Sequence, residues 1–189
     1  MKKPFFAHIR MDDGTPTYQT LWEHCEKTAK YASDALVPVG LAATGKLAGL
    51  LHDAGKARRA FQDYLYDAVV AGKPVKRGSV NHTAAGCRFF LENYHSTGQL
   101  DMPAIVAELL AYACGGHHGL FDCIDAKNGF LCRLLDEKIE YESVKGNFLP
   151  DFAQDNDALF SQSLKEIEVL VGKINAMCEG RAQDEPRCV

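Results

Sequence analysis

The chain has 189 residues, 47% of them hydrophobic, which suits one domain with a substantial core. A net charge of −4 and a pI of about 6.0 provide no global basic field, so any contact with nucleic acid has to be local. Seven cysteines, with no Cys-x-x-Cys pair and no secretory signal, read as reduced cytosolic thiols, and no apolar run approaches the roughly 20 residues of a membrane span.

Residues 1–19 read as irregular, with Asp12-Asp13-Gly14 and Pro16 marking turns. No segment of the chain alternates convincingly enough to predict a strand. A first helix is predicted from about Tyr18 to Leu36, with Leu21, Cys25, Thr28, Ala32 and Ala35 as its inner stripe and His24 at the edge of that stripe. Pro38 and Gly40 break the chain. A second helix, about Leu41 to Ala54, is apolar nearly all round and so reads as a buried central helix. It delivers His52 and Asp53, and Gly55 is placed to terminate it. A third, about Ala57 to Ala71, turns Phe61, Leu65 and Ala68 inward and Arg58, Arg59 and Asp63 outward.

Residues 72–78 form a loop rich in Gly, Pro and basic residues. Ser79 or Asn81 can cap a fourth helix, about His82 to Tyr94, with Ala85, Phe89 and Phe90 inside and His82 in its first turn. Asp101 can cap a fifth, with Ile105, Val106, Leu109, Leu110 and Ala113 as its apolar face. Gly115-Gly116 ends that helix, and His117-His118-Gly119 follows at once. Residues 128–142, patterned by Leu131, Leu134, Leu135 and Ile139, and residues 157–179 read as two further helices. Residues 1–180 are expected to form one all-α domain, a helical bundle with its site between helices, and residues 181–189 a frayed tail.

An apolar helix that ends in His52-Asp53 needs an explanation, because a carboxylate attached to a buried segment requires a partner. Imidazole nitrogen and carboxylate oxygen together suit a divalent transition ion. A lone His24 would read as a boundary histidine, and an isolated His117-His118 pair as a solvated loop. Taken with His52-Asp53 and His82, they point to a metal site. Asp53 can bridge two cations, the arrangement that activates water and holds both oxygens of an in-line displacement at phosphorus. Lys56 supplies a cation for a phosphate or for developing charge. His8 and His95 lack such surroundings and read as surface residues. No Gly-x-Ser-x-Gly elbow and no P-loop occurs, and the cysteines read as small core residues.

These residues, in this order, resemble the HD-domain metallohydrolases and, more narrowly, the HD nuclease of the type I CRISPR helicase-nuclease. The motifs that carry the likeness are Trp22-Glu23-His24 with Ala29, Leu51-His52-Asp53-Ala54-Gly55-Lys56 with Phe61, Asn81-His82 with Ala84-Ala85-Gly86, and Gly116-His117-His118-Gly119. The resemblance implies an all-helical fold with a dinuclear site. His24, His52 and Asp53 would bind the first metal, with Asp53 bridging to a second held by His82, His117 and His118, and Lys56 on the phosphate side. One or two ions of Mn, Co, Ni, Fe or Zn are implied, with Mg as a further candidate. The implied activity is cleavage of single-stranded DNA, as endonuclease and 3′-to-5′ exonuclease. The implied partners are a helicase domain, in the same or a separate chain, and the RNA-guided CRISPR surveillance complex.

One departure from the family pattern bears on the first metal. The family completes that site with an Asp on a late helix, in a segment resembling Val-Asp-Ala-Asp. The late carboxylates here in a plausible stretch are Asp151, Asp155 and Asp157, without those surroundings. The first site is therefore expected to be weak and the second better formed, and the chain to be a fragment of, or a stand-alone partner to, a helicase-nuclease. For a DNA track, Lys56, Arg58 and Arg59 follow the His-Asp pair, and Lys73, Lys76 and Arg77 precede His82. Two other readings stay open on sequence alone: an HD phosphohydrolase acting on nucleotides or cyclic dinucleotides, and a catalytically incomplete domain that binds a partner.

Overall fold

The computed structural model describes residues 4–76, 78–95, 101–119, 140–148 and 156–184. Arg77, Asp151, Asp155 and the predicted helical residues Leu131, Leu134, Leu135 and Ile139 lie outside that set. The all-α reading holds for the body of the chain, with one addition. Residues 6–20, expected to be irregular, form an antiparallel hairpin of β1 (Phe6–Asp12) and β2 (Thr15–Thr20). Asp13 (φ 49°) and Gly14 (φ 81°) take the left-handed conformations of its two-residue turn. Of the two strands only Ala7 is buried, so the ribbon has no alternating face for a sequence pattern to reveal. It is anchored from outside instead. The Gln62 amide accepts from the Phe6 N–H at 2.9 Å and donates to the Phe6 carbonyl at 2.9 Å.

Because Tyr18 to Thr20 belong to β2, the first helix, α1 (Leu21–Leu36), starts later than the periodicity suggested. Thr20 caps it. Its hydroxyl accepts from the Glu23 N–H, and the Glu23 carboxylate accepts from the Thr20 N–H, a reciprocal capping box. A 3-10 turn, Val37–Val39, closes on Gly40 (φ 77°) and leads to α2 (Ala42–Leu51). The α1–α2 contact is nearly backbone to backbone: a Cβ added to Gly49 would lie 2.6 Å from the Ala29 Cα. That approach helps bury Ala43, Gly45, Leu47, Gly49 and Leu51 of α2, with Leu47 and Leu51 at 0% exposure, while Lys46 stays exposed.

A second 3-10 turn, Ala54–Lys56, separates α2 from α3 (Arg59–Val69). Arg58 precedes α3 in extended geometry (φ −132°, ψ 153°), so its side chain turns inward rather than outward as expected. It is 3% exposed, and its guanidinium donates to the Asn81 carbonyl. The fourth helix, α4 (Ala84–Tyr94), buries Ala85, Phe89 and Phe90 as anticipated. Its Gly86 sits against the Leu51 carbonyl, where a Cβ would come within 2.4 Å.

Asp101 caps α5 (Met102–Gly115), accepting from the Ala104 N–H at 2.9 Å. Burial on α5 falls on Val106, Ala107, Leu110, Ala111 and Cys114, whereas Leu109 and Ala113, expected inside, are exposed. A short α6 (Tyr141–Asn147) and a long α7 (Asn156–Asp184) complete the described residues, and α7 runs on into the segment expected to fray. Phe90, Leu47, Leu51, Leu110, Val106 and Val144 form the centre of the core. No helix among the described residues is long and apolar enough to cross a membrane.

Candidate metal centre

Two helices end in the same way and define the site. His52 stands just past α2, and its Nδ1 lies 2.8 Å from the Gly49 carbonyl oxygen. His117 stands just past α5, and its Nδ1 lies 2.7 Å from the Cys114 carbonyl oxygen. A carbonyl only accepts, so both Nδ1 atoms carry the proton. In the neutral ring each Nε2 is then a bare lone pair, oriented by the orphan carbonyls of its own helix end.

Both lone pairs face Asp53. This residue follows α2, is 2% exposed, and has its two carboxylate oxygens in different company. Oδ2 lies 2.9 Å from His24 Nε2, 3.1 Å from His52 Nε2 and 2.8 Å from Lys56 Nζ. Oδ1 lies 3.5 Å from His82 Nε2 and 3.4 Å from His117 Nε2. His82 Nε2 in turn lies 2.8 Å from His118 Nε2. The donors therefore form two groups that share Asp53: His24, His52 and Asp53, and Asp53, His82, His117 and His118, each with its ligating atoms within 4.8 Å of one another.

The second group has no internal counter-charge. Asp53 Oδ1 and His117 Nε2 are both buried and both lack a hydrogen-bond partner. Two lone pairs that face each other at 3.4 Å away from water are unfavourable unless a cation lies between them. A divalent ion fits that requirement, and the donor set of imidazole nitrogen and carboxylate oxygen is one that such ions accept. The first group differs, because Lys56 already places a positive charge on Oδ2.

Protonation agrees with this chemistry. Burial alone would push the Asp53 carboxyl up, but a proton on the facing nitrogens of His117, His24 and His52 outweighs it and holds the group well below the usual carboxylate range, so the carboxylate keeps a positive partner, proton or metal, at that edge. Burial pushes His82 down to about 4, against the opposing pull of Asp53. Near neutral pH Asp53 is a carboxylate and His82 a neutral imidazole, the forms a metal requires.

Glycine contacts fix the rest. The 3-10 turn after Asp53 packs so tightly on His82 that a Cβ on Gly55 would lie 2.3 Å from the His82 carbonyl oxygen. Gly55 thus serves close approach more than helix termination. Asn81 Oδ1 accepts from the Thr83 N–H at 3.0 Å, and α4 begins only at Ala84, so His82 stands before the helix rather than in its first turn.

The basic residues are less concentrated than the sequence suggested. Lys56 is 5% exposed and committed to Asp53, with its Nζ also 3.4 Å from the Ala7 carbonyl. Arg58 is buried against Asn81 and offers no open phosphate contact. Arg59 pairs with Asp63 at 3.4 Å, Lys73 pairs with Asp67 at 2.9 Å, and Lys76 is exposed. Arg77 lies outside the described residues. Of the late carboxylates, Asp157 accepts from the Tyr94 hydroxyl at 2.7 Å. His95 pairs with Glu108 at 2.9 Å. One residue that reads as ordinary surface is close to the donors: the His8 ring meets the His24 ring edge-on, with centroids 4.8 Å apart. Its signal lay in the hairpin, which the sequence did not reveal.

No curated protein matches the chain. A family model described as Cas3, HD domain matches residues 9–168, a span that takes in all of the grouped donors from His24 to His118. That match and the shared aspartate with its five histidines agree, and the chain belongs to the Cas3 HD-domain family of CRISPR-associated, metal-dependent nucleases.

Proposed function

We propose that this chain cleaves single-stranded DNA, as an endonuclease and as a 3′-to-5′ exonuclease, in antiviral defence in the cytoplasm. It would act with a helicase domain and the RNA-guided CRISPR surveillance complex. The observation that carries the catalytic reading is Asp53, a buried carboxylate that turns one oxygen to each of two histidine groups. His24, His52 and Asp53 would hold a first divalent ion, and Asp53, His82, His117 and His118 a second. When bound, two such ions supply a water of lowered pKa and Lewis-acid stabilisation of the phosphodiester oxygens.

The chain's own residues contribute orientation and charge. Gly49 and Cys114 carbonyls fix the tautomers of His52 and His117, so both Nε2 atoms are ready to ligate. Lys56 holds Asp53 in place and offsets its charge, acting through the carboxylate rather than on substrate. Lys76 and Arg59 are exposed cations near in sequence to the site, as is Lys73, and Lys76 and Arg59 are assigned to phosphate steering, which weakens as salt rises.

The test is cleavage of circular single-stranded DNA with Mn, Co, Ni, Fe, Zn or Mg added separately, beside Asp53→Asn. A circle has no ends, so its loss reports endonuclease action. The expected result is metal-dependent cleavage that disappears in Asp53→Asn. Hydrolysis of nucleotides or cyclic dinucleotides with the DNA left intact would overturn the reading.

A further inference from the structure

We propose that His8 is a substrate-contacting residue, donating a hydrogen bond to a non-bridging oxygen of the bound phosphodiester on the His24–His52 side. This rests on the nuclease reading above. The ring of His8 stands edge-on to that of His24, with centroids 4.8 Å apart and planes at 80°. The charged and titratable groups whose fields reach it are Lys56, His24, Asp53 and His52, all of the first half of the centre. It is not grouped with the donors whose ligating atoms lie within 4.8 Å of one another, so it stands outside the ligand shell.

Its place is fixed rather than incidental. The three residues before it are fastened in turn. The Phe5 carbonyl accepts from the Leu21 N–H at 2.8 Å, Phe6 is bracketed by the Gln62 amide, and the carbonyl of the buried Ala7 faces Lys56 Nζ at 3.4 Å. Lys56 thus ties the base of the hairpin to Asp53. The chain then presents His8, exposed, over that half. A phosphodiester there needs a donor from the protein. Lys56 is buried on Asp53 and Arg58 is buried against Asn81, whereas His8 is exposed and its ring has an N–H to give.

Two variants test this. His8→Phe keeps a ring without a donor, and His8→Lys restores a donor without the ring. Binding is read with a fluorescent oligothymidylate of about 15 nucleotides without divalent ion, turnover with Mn, and metal content by Co(II) titration. His8→Phe is expected to weaken binding about tenfold and to raise KM, and His8→Lys to return binding to within about twofold of the parent. Both are expected to bind as much Co(II) as the parent. Unchanged binding and KM in His8→Phe would overturn the proposal. So would loss of a Co(II) equivalent, which makes His8 a ligand, and so would failure of His8→Lys to rescue, which makes the ring structural. Failure of the parent chain itself to bind or cleave DNA would instead overturn the nuclease reading beneath it.

Discussion

Gly55 touches His82 backbone to backbone, and a single methyl group on Gly55 would lie 2.3 Å from the His82 carbonyl oxygen. Both partners are main chain, so no side chain can move aside. Gly55→Ala is therefore expected to displace His82, to cost about 1–3 kcal/mol of stability and to weaken metal binding roughly tenfold or more. Urea melts and Co(II) titration read the two effects. Gly172→Ala is the control, since a Cβ there meets nothing within 4 Å and the residue is helical. It should stabilise by about 0.5–1 kcal/mol. Parental metal affinity in Gly55→Ala would refute the claim that this contact sets His82.

Lys56 and Asp53 are a buried pair, with side chains 6% and 3% exposed and 2.8 Å between Nζ and Oδ2. Lys56→Met removes the cation and leaves the carboxylate with imidazoles alone. The metal-free protein should lose about 3–5 kcal/mol. Added Mn should restore much of that, because a bound ion supplies the missing positive charge. Melts with and without Mn make the comparison, and an equal loss in both would show that Lys56 does not serve as the counter-charge.

Acid should destabilise the metal-free protein in a defined window. The folded-state pKa of His82 lies at about 4, below its ordinary value of 6.5, because burial disfavours the charged ring. Above pH 6.5 this costs nothing, since His82 is neutral in both states. As pH falls from 6.5 toward 4 the unfolded chain takes up a proton that the folded one refuses, and stability declines. Below 4 His82 adds no further loss. Asp53 is shifted in the same sense, so its stabilisation also fades on acidification, at lower pH. Urea midpoints from pH 8 to 4 should fall across the His82 window and fall less in His82→Phe. A midpoint that rose in acid would contradict the burial argument.

The two halves should fill in order. Asp53 Oδ1 and His117 Nε2 have no partner, whereas Oδ2 already meets Lys56. An ion arriving at the His82–His117–His118 side relieves two orphaned lone pairs, while one arriving at the His24–His52 side competes with a lysine. The first equivalent of Co(II) is therefore expected at the second group, with the next binding about tenfold or more weakly. His118→Ala should abolish the tight phase and His24→Ala should spare it. The reverse pattern in titrations monitored by visible absorption would sink the assignment.

The grouping of Asp53 with the histidines was foreshadowed in the sequence because helices announce themselves at both ends. His52 and His117 each stand at the end of an apolar helix, and there their rings reach back to carbonyls of the last turn. What escaped was whatever depended on a contact between distant segments. The hairpin buries only Ala7, and its anchors, Gln62 and Leu21, lie on other elements. His8 was hidden with it. Arg58 was misplaced because α3 begins at Arg59, two residues later than its pattern, and leaves Arg58 extended and turned inward. Lys56 was read as a cation for a phosphate, whereas its partner here is Asp53, and charge pairing inside a core leaves no periodic trace.

The helix that carries His52 and Asp53 at one end is held at the other by Glu166. Its carboxylate accepts from the Ala43 N–H at 2.8 Å, 123 positions earlier in the chain, and from the Thr44 N–H at 2.9 Å. Those are orphan amides of the first turn of α2, and a distant side chain satisfies them. A ribosome makes the histidines long before it makes Glu166. Until then α2 lacks its cap, and the register of the shared aspartate is not yet locked. The order of synthesis therefore places this anchoring of α2 after the emergence of α7.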